Sequence, residues 1–236
     1  MITIDRVSKR KGRARVLHDV TFEARPGRVT GFLGQNGAGK TSTLRVLLGL
    51  DRPEHGSALV CGRPYRELDR PLTVVGALLD GSGAHRARTA RAHLRWVAVS
   101  NGLPVSRADE VLEVVGLAGD ARKRAGRYSL GMSRRLGLAT ALLGDPAVLV
   151  LDEPVNGLDP AGIRWMREFL RDRAARGGTV LLSSHLMGEL AEIADDVVVI
   201  HQGRILVQGG LAEVTGDHAT LEDAFLALTA TAGAPW

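Results

Sequence analysis

The sequence predicts an α/β protein built on a mostly parallel sheet, and three features carry that prediction. From Ala147 onward strand-like runs alternate with helical periodicity: Val148 to Leu151, then Ile163, Met166, Phe169 and Leu170, then Thr179 to Ser183, a helix around Leu190, and Val197 to Ile200. Strands separated by helices in this way pair in parallel, with the helices on the faces of the sheet. A glycine-rich segment, Gly34-Gln35-Asn36-Gly37-Ala38-Gly39-Lys40-Thr41-Ser42, lies between the apolar run Val29 to Leu33 and a helical run that begins near Lys40. Finally, Val148-Leu149-Val150-Leu151 runs into Asp152-Glu153-Pro154. A buried strand ending in carboxylates delivers them to the carboxyl edge of the sheet, where ligands of such folds bind.

The remaining elements follow in order. Ile2-Thr3-Ile4 and Val20-Thr21-Phe22-Glu23 read as short strands separated by a basic, turn-rich stretch from Lys9 to Arg15, and Pro26-Gly27 turns the chain into the next strand. Leu44, Leu47 and Leu48 have helical spacing, and Gly49 with Pro53 ends that helix. Ala58 to Cys61, after Gly56, is hairpin-like, and Leu72 to Leu79 reads as a buried strand. From about Gly81 to Gly144 the pattern is helical and rich in arginine, which predicts an inserted helical sub-domain. Within it Ser106 and Asp109 have capping-box spacing, and Gly116 is placed to stop the helix they open. Gln202-Gly203 turns a late hairpin into Ile205 to Gln208, and Thr220 with Asp223 caps a last short helix. The expected organisation is one domain, with residues 1–80 and 145–229 as the core, 81–144 as the helical insertion, and 230–236 as a frayed small-residue tail.

Composition bounds the function. A chain of 236 residues, 44% hydrophobic, can bury a sizeable core and is not a disordered one. No apolar run approaches the roughly 20 residues of a membrane-spanning helix, so a soluble chain is expected. Met1-Ile2-Thr3-Ile4-Asp5 does not open a secretion signal, and the single cysteine, Cys61, can form no internal disulfide; both agree with the cytoplasm. The net charge of +5 is compatible with nucleotide, nucleic acid or an anionic membrane face as partner, and does not choose among them.

The glycine-rich segment fits Gly-x-x-x-x-Gly-Lys-[Ser/Thr], the phosphate-cradling P-loop, in the strand and helix context that such a loop requires. Its glycines let backbone N–H groups converge on an anion, and the following helix adds the positive end of its dipole. Lys40 is then placed to reach the β- and γ-phosphates of a nucleotide, and the Thr41 hydroxyl to ligate Mg²⁺. Asp152 is placed to hold Mg²⁺ directly or through water, and Glu153 to orient or deprotonate a water attacking the γ-phosphate.

Further segments carry a family resemblance. Tyr128-Ser129-Leu130-Gly131-Met132 precedes the Asp-Glu strand, Gly157-Leu158-Asp159 follows it, and His185 follows the strand Thr179 to Ser183. In this order the motifs resemble those of the nucleotide-binding subunit of an ATP-binding-cassette (ABC) transporter, over nearly the whole chain. The resemblance implies a P-loop NTPase with a RecA-like core, an N-terminal antiparallel β sub-domain and an inserted helical sub-domain. It implies that Ser129 and the Gly131 backbone, at a helix start, bind ATP held by the P-loop of a second subunit, that Asp159 lies at the dimer contact, and that His185 is the switch histidine on the γ-phosphate. The chain departs from the family in three places. Its signature reads Ser-Leu-Gly-Met where Ser-Gly-Gly-Gln is usual; Asp80 stands where a Mg²⁺-sensing glutamine is usual; and no aromatic residue lies between Met1 and Val20 to stack on the base. Lys11, Arg13 or Val16 would cover the base instead. The Ser-Leu-Gly-Met form and the closing Leu221 to Thr229 resemble the antibiotic- and daunorubicin-resistance type exporters.

The resemblance therefore implies an ATPase that powers an exporter of drugs, antibiotics or other hydrophobic compounds, using ATP and Mg²⁺. It would act as a homodimer on a separate membrane-spanning permease, peripheral to the inner face of the cell membrane, with no nucleic acid partner. The segment Asp80 to Arg95, with Arg86, Arg88, Arg91 and Arg95, would receive a cytoplasmic helix of that permease. A soluble ABC ATPase acting on nucleic acid or the ribosome is the alternative, favoured by the basic charge. A nucleotide-binding regulator without hydrolysis is opposed by the presence of Lys40, Asp152, Glu153 and His185.

Overall fold

A computed structural model describes residues 1–79 and 82–232. In chain order its elements are β1 (Ile2–Lys11), β2 (Ala14–Ala24), β3 (Arg28–Leu33), α1 (Lys40–Leu47), β4 (His55–Val60), α2 (Pro71–Val74), β5 (Val75–Leu78), α3 (Ala90–Ser100), α4 (Arg107–Val114), α5 (Leu130–Ala141) and β6 (Val148–Asp152). There follow α6 (Pro160–Ala175), β7 (Thr179–Ser184), α7 (Met187–Ala191), β8 (Asp196–His201), β9 (Arg204–Gly210), α8 (Leu211–Thr215) and α9 (Leu221–Ala232). The chain divides into two compact units, one made of Met1–Leu68 and the chain from Phe169 onward, the other of Asp69–Glu168.

In the first unit β2, β1 and β4 form an antiparallel sheet with β1 in the middle. β3 lies between β7 and β8, parallel to both, and β9 closes the edge antiparallel to β8. β3, β7 and the centre of β8 are buried along nearly their whole length, which is why their sequences are near-continuous apolar runs rather than alternating ones. Phe22 of β2 and Phe32 of β3, both buried, meet with ring centroids 4.9 Å apart and pin the antiparallel strand to the parallel ones. At the amino end of β3 the Arg28 guanidinium forks onto Asp196 at 2.6 and 2.7 Å. That bond raises the arginine's already high pKa and ties β3 to β8.

The second unit pairs β5 with β6 in parallel and packs α3, α4 and α5 together. Thr89 caps α3 by accepting the Ala92 N–H at 3.2 Å. Arg91 and Arg95 of α3 converge on Asp109 of α4, at 2.6 and 3.2 Å. The buried His93 of α3 meets Thr140 of α5 at 3.2 Å. The helices read between 81 and 144 fall inside this unit, which also holds both strands and the first half of α6.

Four local readings are corrected. Lys9 to Arg15 is not a loop: β1 runs to Lys11 and β2 resumes at Ala14, with the turn confined to Gly12 and Arg13. Leu72 to Leu79 is not one strand, because Pro71 at the first helical position favours a helical turn through Val74 before β5 begins. Ser106 makes no side-chain cap: its own backbone is already helical (φ −58°, ψ −31°), and Asp109 faces Arg91 and Arg95. The last helix is not short, since α9 runs on to Ala232, three residues into the segment read as tail; residues 233–236 lie outside the described residues.

Candidate functional site

The P-loop begins where β3 ends. Gln35, Asn36 and Gly37 are exposed, while Ala38, Gly39 and Lys40 are buried. Gly39 is the residue before α1 and holds φ 115°, ψ −2°, a conformation open to glycine alone among the common residues. It is also hemmed in, since a Cβ there would stand 2.9 Å from Leu17 Cδ2 and 3.2 Å from Val16 O. Behind the loop, Gly203 N–H donates to Ala38 O at 2.8 Å, and His18 N–H donates to Gly203 O at 2.8 Å. The β8–β9 turn and the edge of β2 therefore brace the P-loop from beneath. Sequence reasoning gave the turn but not this use of it, because nothing in Gln202-Gly203 marks which loop it supports.

The Lys40 side chain folds back over the loop, its ammonium donating to Gly34 O at 2.6 Å and Gln35 O at 3.4 Å. It is 6% exposed. Thr41 and Ser42 open the first turn of α1, where backbone N–H groups have no intrahelical partner and can face an anion. A buried ammonium, a helix start and an exposed glycine-containing loop make a cradle that fits the triphosphate of ATP.

His185 is delivered to the same edge. β3 and β7 are parallel and in register, with Leu33 opposite Ser184, so the residues that follow, Gly34 and His185, leave neighbouring strands at their carboxyl ends. Ser184 Oγ accepts the Leu186 N–H at 2.9 Å and fixes the turn that carries the half-buried His185.

The second unit repeats this geometry. Leu78 of β5 pairs with Leu151 of β6, so the chain ends leading to residue 80 and to Asp152 and Glu153 emerge side by side. Asp80 itself lies outside the described residues. Asp152 is 5% exposed, and Glu153 is half-buried with φ 50°, a left-handed conformation unfavourable for a glutamate. Asn156, which sequence reasoning did not single out, sets its side-chain amide 3.5 Å from Glu153 Oε2 and donates its backbone N–H to Glu153 O at 3.3 Å. Asp159 caps α6 by accepting the Gly162 N–H at 2.9 Å. Ser129 caps α5, accepting the Met132 N–H at 3.2 Å. Its hydroxyl proton remains to donate elsewhere, and the Gly131 N–H belongs to the first helical turn. Tyr128, next to it, has its hydroxyl pushed up to about 12 by burial and by Asp120, and donates to Asp120 O at 2.9 Å.

Among the described residues no cluster of three or more His, Cys, Asp or Glu could hold a metal. The family profile described as ABC transporter matches residues 17–156, from the brace of the P-loop to the loop after Glu153. The chain belongs to the ABC transporter family. Its relatives include the bacitracin transport ATP-binding protein BcrA of Bacillus licheniformis, 39% identical over 215 residues that cover 90% of this chain and 69% of that protein. An uncharacterised ABC transporter ATP-binding protein of Bacillus subtilis, YhcH, is 40% identical over 194 residues, 81% of this chain and 64% of that one. The chain thus spans about two thirds of these relatives. The lantibiotic transport ATP-binding protein SrtF of Streptococcus pyogenes is 32% identical over 208 residues, 88% of this chain and 90% of that one. Among solved structures, an ATP-binding subunit of an ABC transporter superposes with a TM-score of 0.87 at 26% identity, covering 97% of this chain and 99% of that one. A dimeric ATP-binding cassette with ADP and Pi, at 19% identity over 89% of this chain and 98% of its own, shares the fold with a TM-score of 0.79.

The ABC family binds and hydrolyses ATP, and its ATP-binding subunits act with membrane permeases and form dimers. The α/β architecture expected from the sequence, with mostly parallel strands and a separate antiparallel sheet, is the one observed. No helix among the described residues is long and apolar enough to cross a membrane.

Proposed function

We propose that this chain is the ATP-hydrolysing motor of a membrane exporter whose cargo is a drug, an antibiotic or another hydrophobic compound. The observation that carries this reading is the 39% identity to a bacitracin transport ATP-binding protein across 90% of the chain. The Lys40 cradle and the strained Glu153 add the chemistry. In this reading residues 1–80 and 145–229 form the catalytic core and 81–144 the signature sub-domain. Residues Gly34 to Ser42 bind the triphosphate, with Lys40 on the β- and γ-phosphates. Thr41 and Asp152 would hold Mg²⁺, which would supply positive charge to offset that of the phosphates; Asp80 would bind the ion or its waters. Glu153 takes the proton of the attacking water, and His185 donates a hydrogen bond to the γ-phosphate. Ser129, Gly131 and Asp159 would complete the site of a second copy of the chain, so two nucleotides are enclosed by a homodimer. That dimer would sit on a separate permease at the inner face of the membrane.

Replacing Glu153 by Gln tests the reading. The amide keeps the shape and loses the base, so ATP turnover should fall by about 10²- to 10⁴-fold while ATP binding persists. Trapped ATP should shift the protein from monomer to dimer in light scattering. Turnover at the wild-type rate in Glu153→Gln would remove Glu153 from the reaction.

A further inference from the structure

Leu130 opens α5 next to Ser129 and is 62% exposed, a costly position for an aliphatic side chain unless its inner side does something. Its inner side rests on Gly157. A Cβ built at Gly157 would stand 2.3 Å from Leu130 Cδ2, 2.6 Å from Cγ and 3.4 Å from Cβ, so the leucine fills the volume that any side chain at 157 would need. The backbones approach as well, since a Cβ at Gly131 would lie 3.0 Å from Gly157 O and 3.6 Å from Leu158 Cδ2. The first turn of α5 therefore lies directly on the loop between β6 and α6.

That loop hangs from Glu153. Asn156 N–H reaches Glu153 O at 3.3 Å, Leu158 N–H reaches Val155 O at 3.1 Å, and Asp159 closes the far end on Gly162 N–H at 2.9 Å. Two of its residues, Glu153 and Gly157, have positive φ, 50° and 79°. A glutamate in the left-handed region stays there only when its surroundings hold it. The contact between Leu130 and Gly157 braces the middle of the loop from outside, beside the approach of Gly131 to Gly157 O and Leu158.

We propose that Leu130 is a positioning residue: packed on Gly157, it holds residues 154–158 against the first turn of α5, keeps Glu153 in its left-handed conformation, and so sets the rate of hydrolysis. This rests on the role given above to Glu153. It also assigns a use to the departure at Leu130, where the chain carries a large residue and pairs it with a position that has room for none.

The test is a double-mutant cycle of Leu130→Ala and Gly157→Ala, with Leu130→Met as the conservative control. Alanine at φ 79° is strained in both backgrounds, so that cost cancels and only the 130–157 contact is read. In the purified chain, Leu130→Ala should speed amide hydrogen exchange across 153–159 by about tenfold or more, with β3 and α1 unchanged and Leu130→Met close to wild type. With Mg–ATP, Leu130→Ala should lower kcat about fivefold or more and leave KM within about twofold, because the loop acts on the chemical step. Gly157→Ala should cost several-fold less in the Leu130→Ala background than alone. Unchanged exchange over 153–159, wild-type kcat in Leu130→Ala, or two independent effects that simply multiply would each overturn the proposal. A wild-type chain that turns over no ATP while exchange responds as expected would instead overturn the ATPase role of Glu153.

Discussion

Gly34→Ala is the sharpest test of how the P-loop is held, because the space around that position can be read directly. Gly34 is the first residue beyond β3, and a Cβ there would stand 2.5 Å from Ile200 O, 2.9 Å from Ile200 Cγ2 and 3.2 Å from Ala38 Cβ. The nearest of these is a backbone oxygen. Ile200 is fully buried in β8 and pairs with Ile205 of β9, so its carbonyl cannot move freely without disturbing that pairing. The added methyl must push the start of the P-loop away from β8, an overpacking cost of about 2 to 3 kcal/mol. For a chain of this size that is a loss of about 5 to 10 °C in Tm. Gly37→Ala is the matched control: nothing lies within 4 Å of the added atom, and only its φ of 82° is unfavourable. Left-handed alanine costs about 1 kcal/mol, or about 2 to 4 °C. Thermal unfolding of both variants without nucleotide separates the two effects. If Gly37→Ala loses as much as Gly34→Ala, or if Gly34→Ala melts with wild type, the brace by β8 is not what fixes the loop.

Two further outcomes are expected. His93 is buried with its pKa held below the usual 6.5 by burial and by the nearby charge of Arg88; since Thr140 Oγ1 donates to Leu136 O at 3.0 Å, it accepts from His93 Nε2–H, and Nδ1 is the nitrogen that would have to take a proton without a partner. Its contribution to stability is complete above the unfolded pKa and is lost as pH falls below about 6.5, at up to about 1.4 kcal/mol per pH unit; denaturant titrations between pH 7 and 5 should show this slope and His93→Gln should flatten it. With no aromatic residue ahead of Val20 to stack on a base, ATP and GTP should compete within a factor of about ten, or 1.4 kcal/mol, and a preference above about a hundredfold in displacement of a fluorescent ATP analogue would reveal a base-reading contact.

The parts of the fold legible in the sequence were those in which one physical signal dominates. β3, β6, β7 and β8 are buried on both faces, so their composition alone announces them, and the P-loop is legible because few residues other than glycine tolerate its conformation. The ends of β1 and β2 were not legible for the opposite reason. Lys9 to Arg15 form an exposed two-stranded ribbon with almost no apolar face, so their pairing is set by the hairpin between β1 and β2 and leaves no alternation to read. The carboxyl-edge residues were found because strand ends deliver them. Asn156 was not, because its contact with Glu153 depends on how the chain turns after β6, which no periodicity marks; nor was the packing of Leu130 on Gly157, which joins a loop to a helix distant in sequence.

The same limit governs the arginines between residues 86 and 95. As a sequence they are a basic row interleaved with small residues, and a row of like charge suggests a surface waiting for an acidic partner. In the structure most of that row is engaged within the chain. Arg91 and Arg95 share Asp109 of α4, and the Arg88 guanidinium lies 4.5 Å from the centre of the Trp96 ring. Exposed pairs of this kind contribute about 1 kcal/mol or less each, but two arginines on one carboxylate fix the angle at which α3 meets α4. Reversing Arg91 would place two carboxylates together and loosen the helices before any partner was involved. Loss of assembly in such a variant would report on the α3–α4 clamp as much as on docking. Arg86 is the better residue to reverse when docking is the question: its side chain is exposed, lies ahead of α3 and takes no part in the Asp109 clamp, although its backbone carbonyl accepts the Gly126 N–H at 2.9 Å, so hydrogen exchange near Gly126 is the control that its fold is kept.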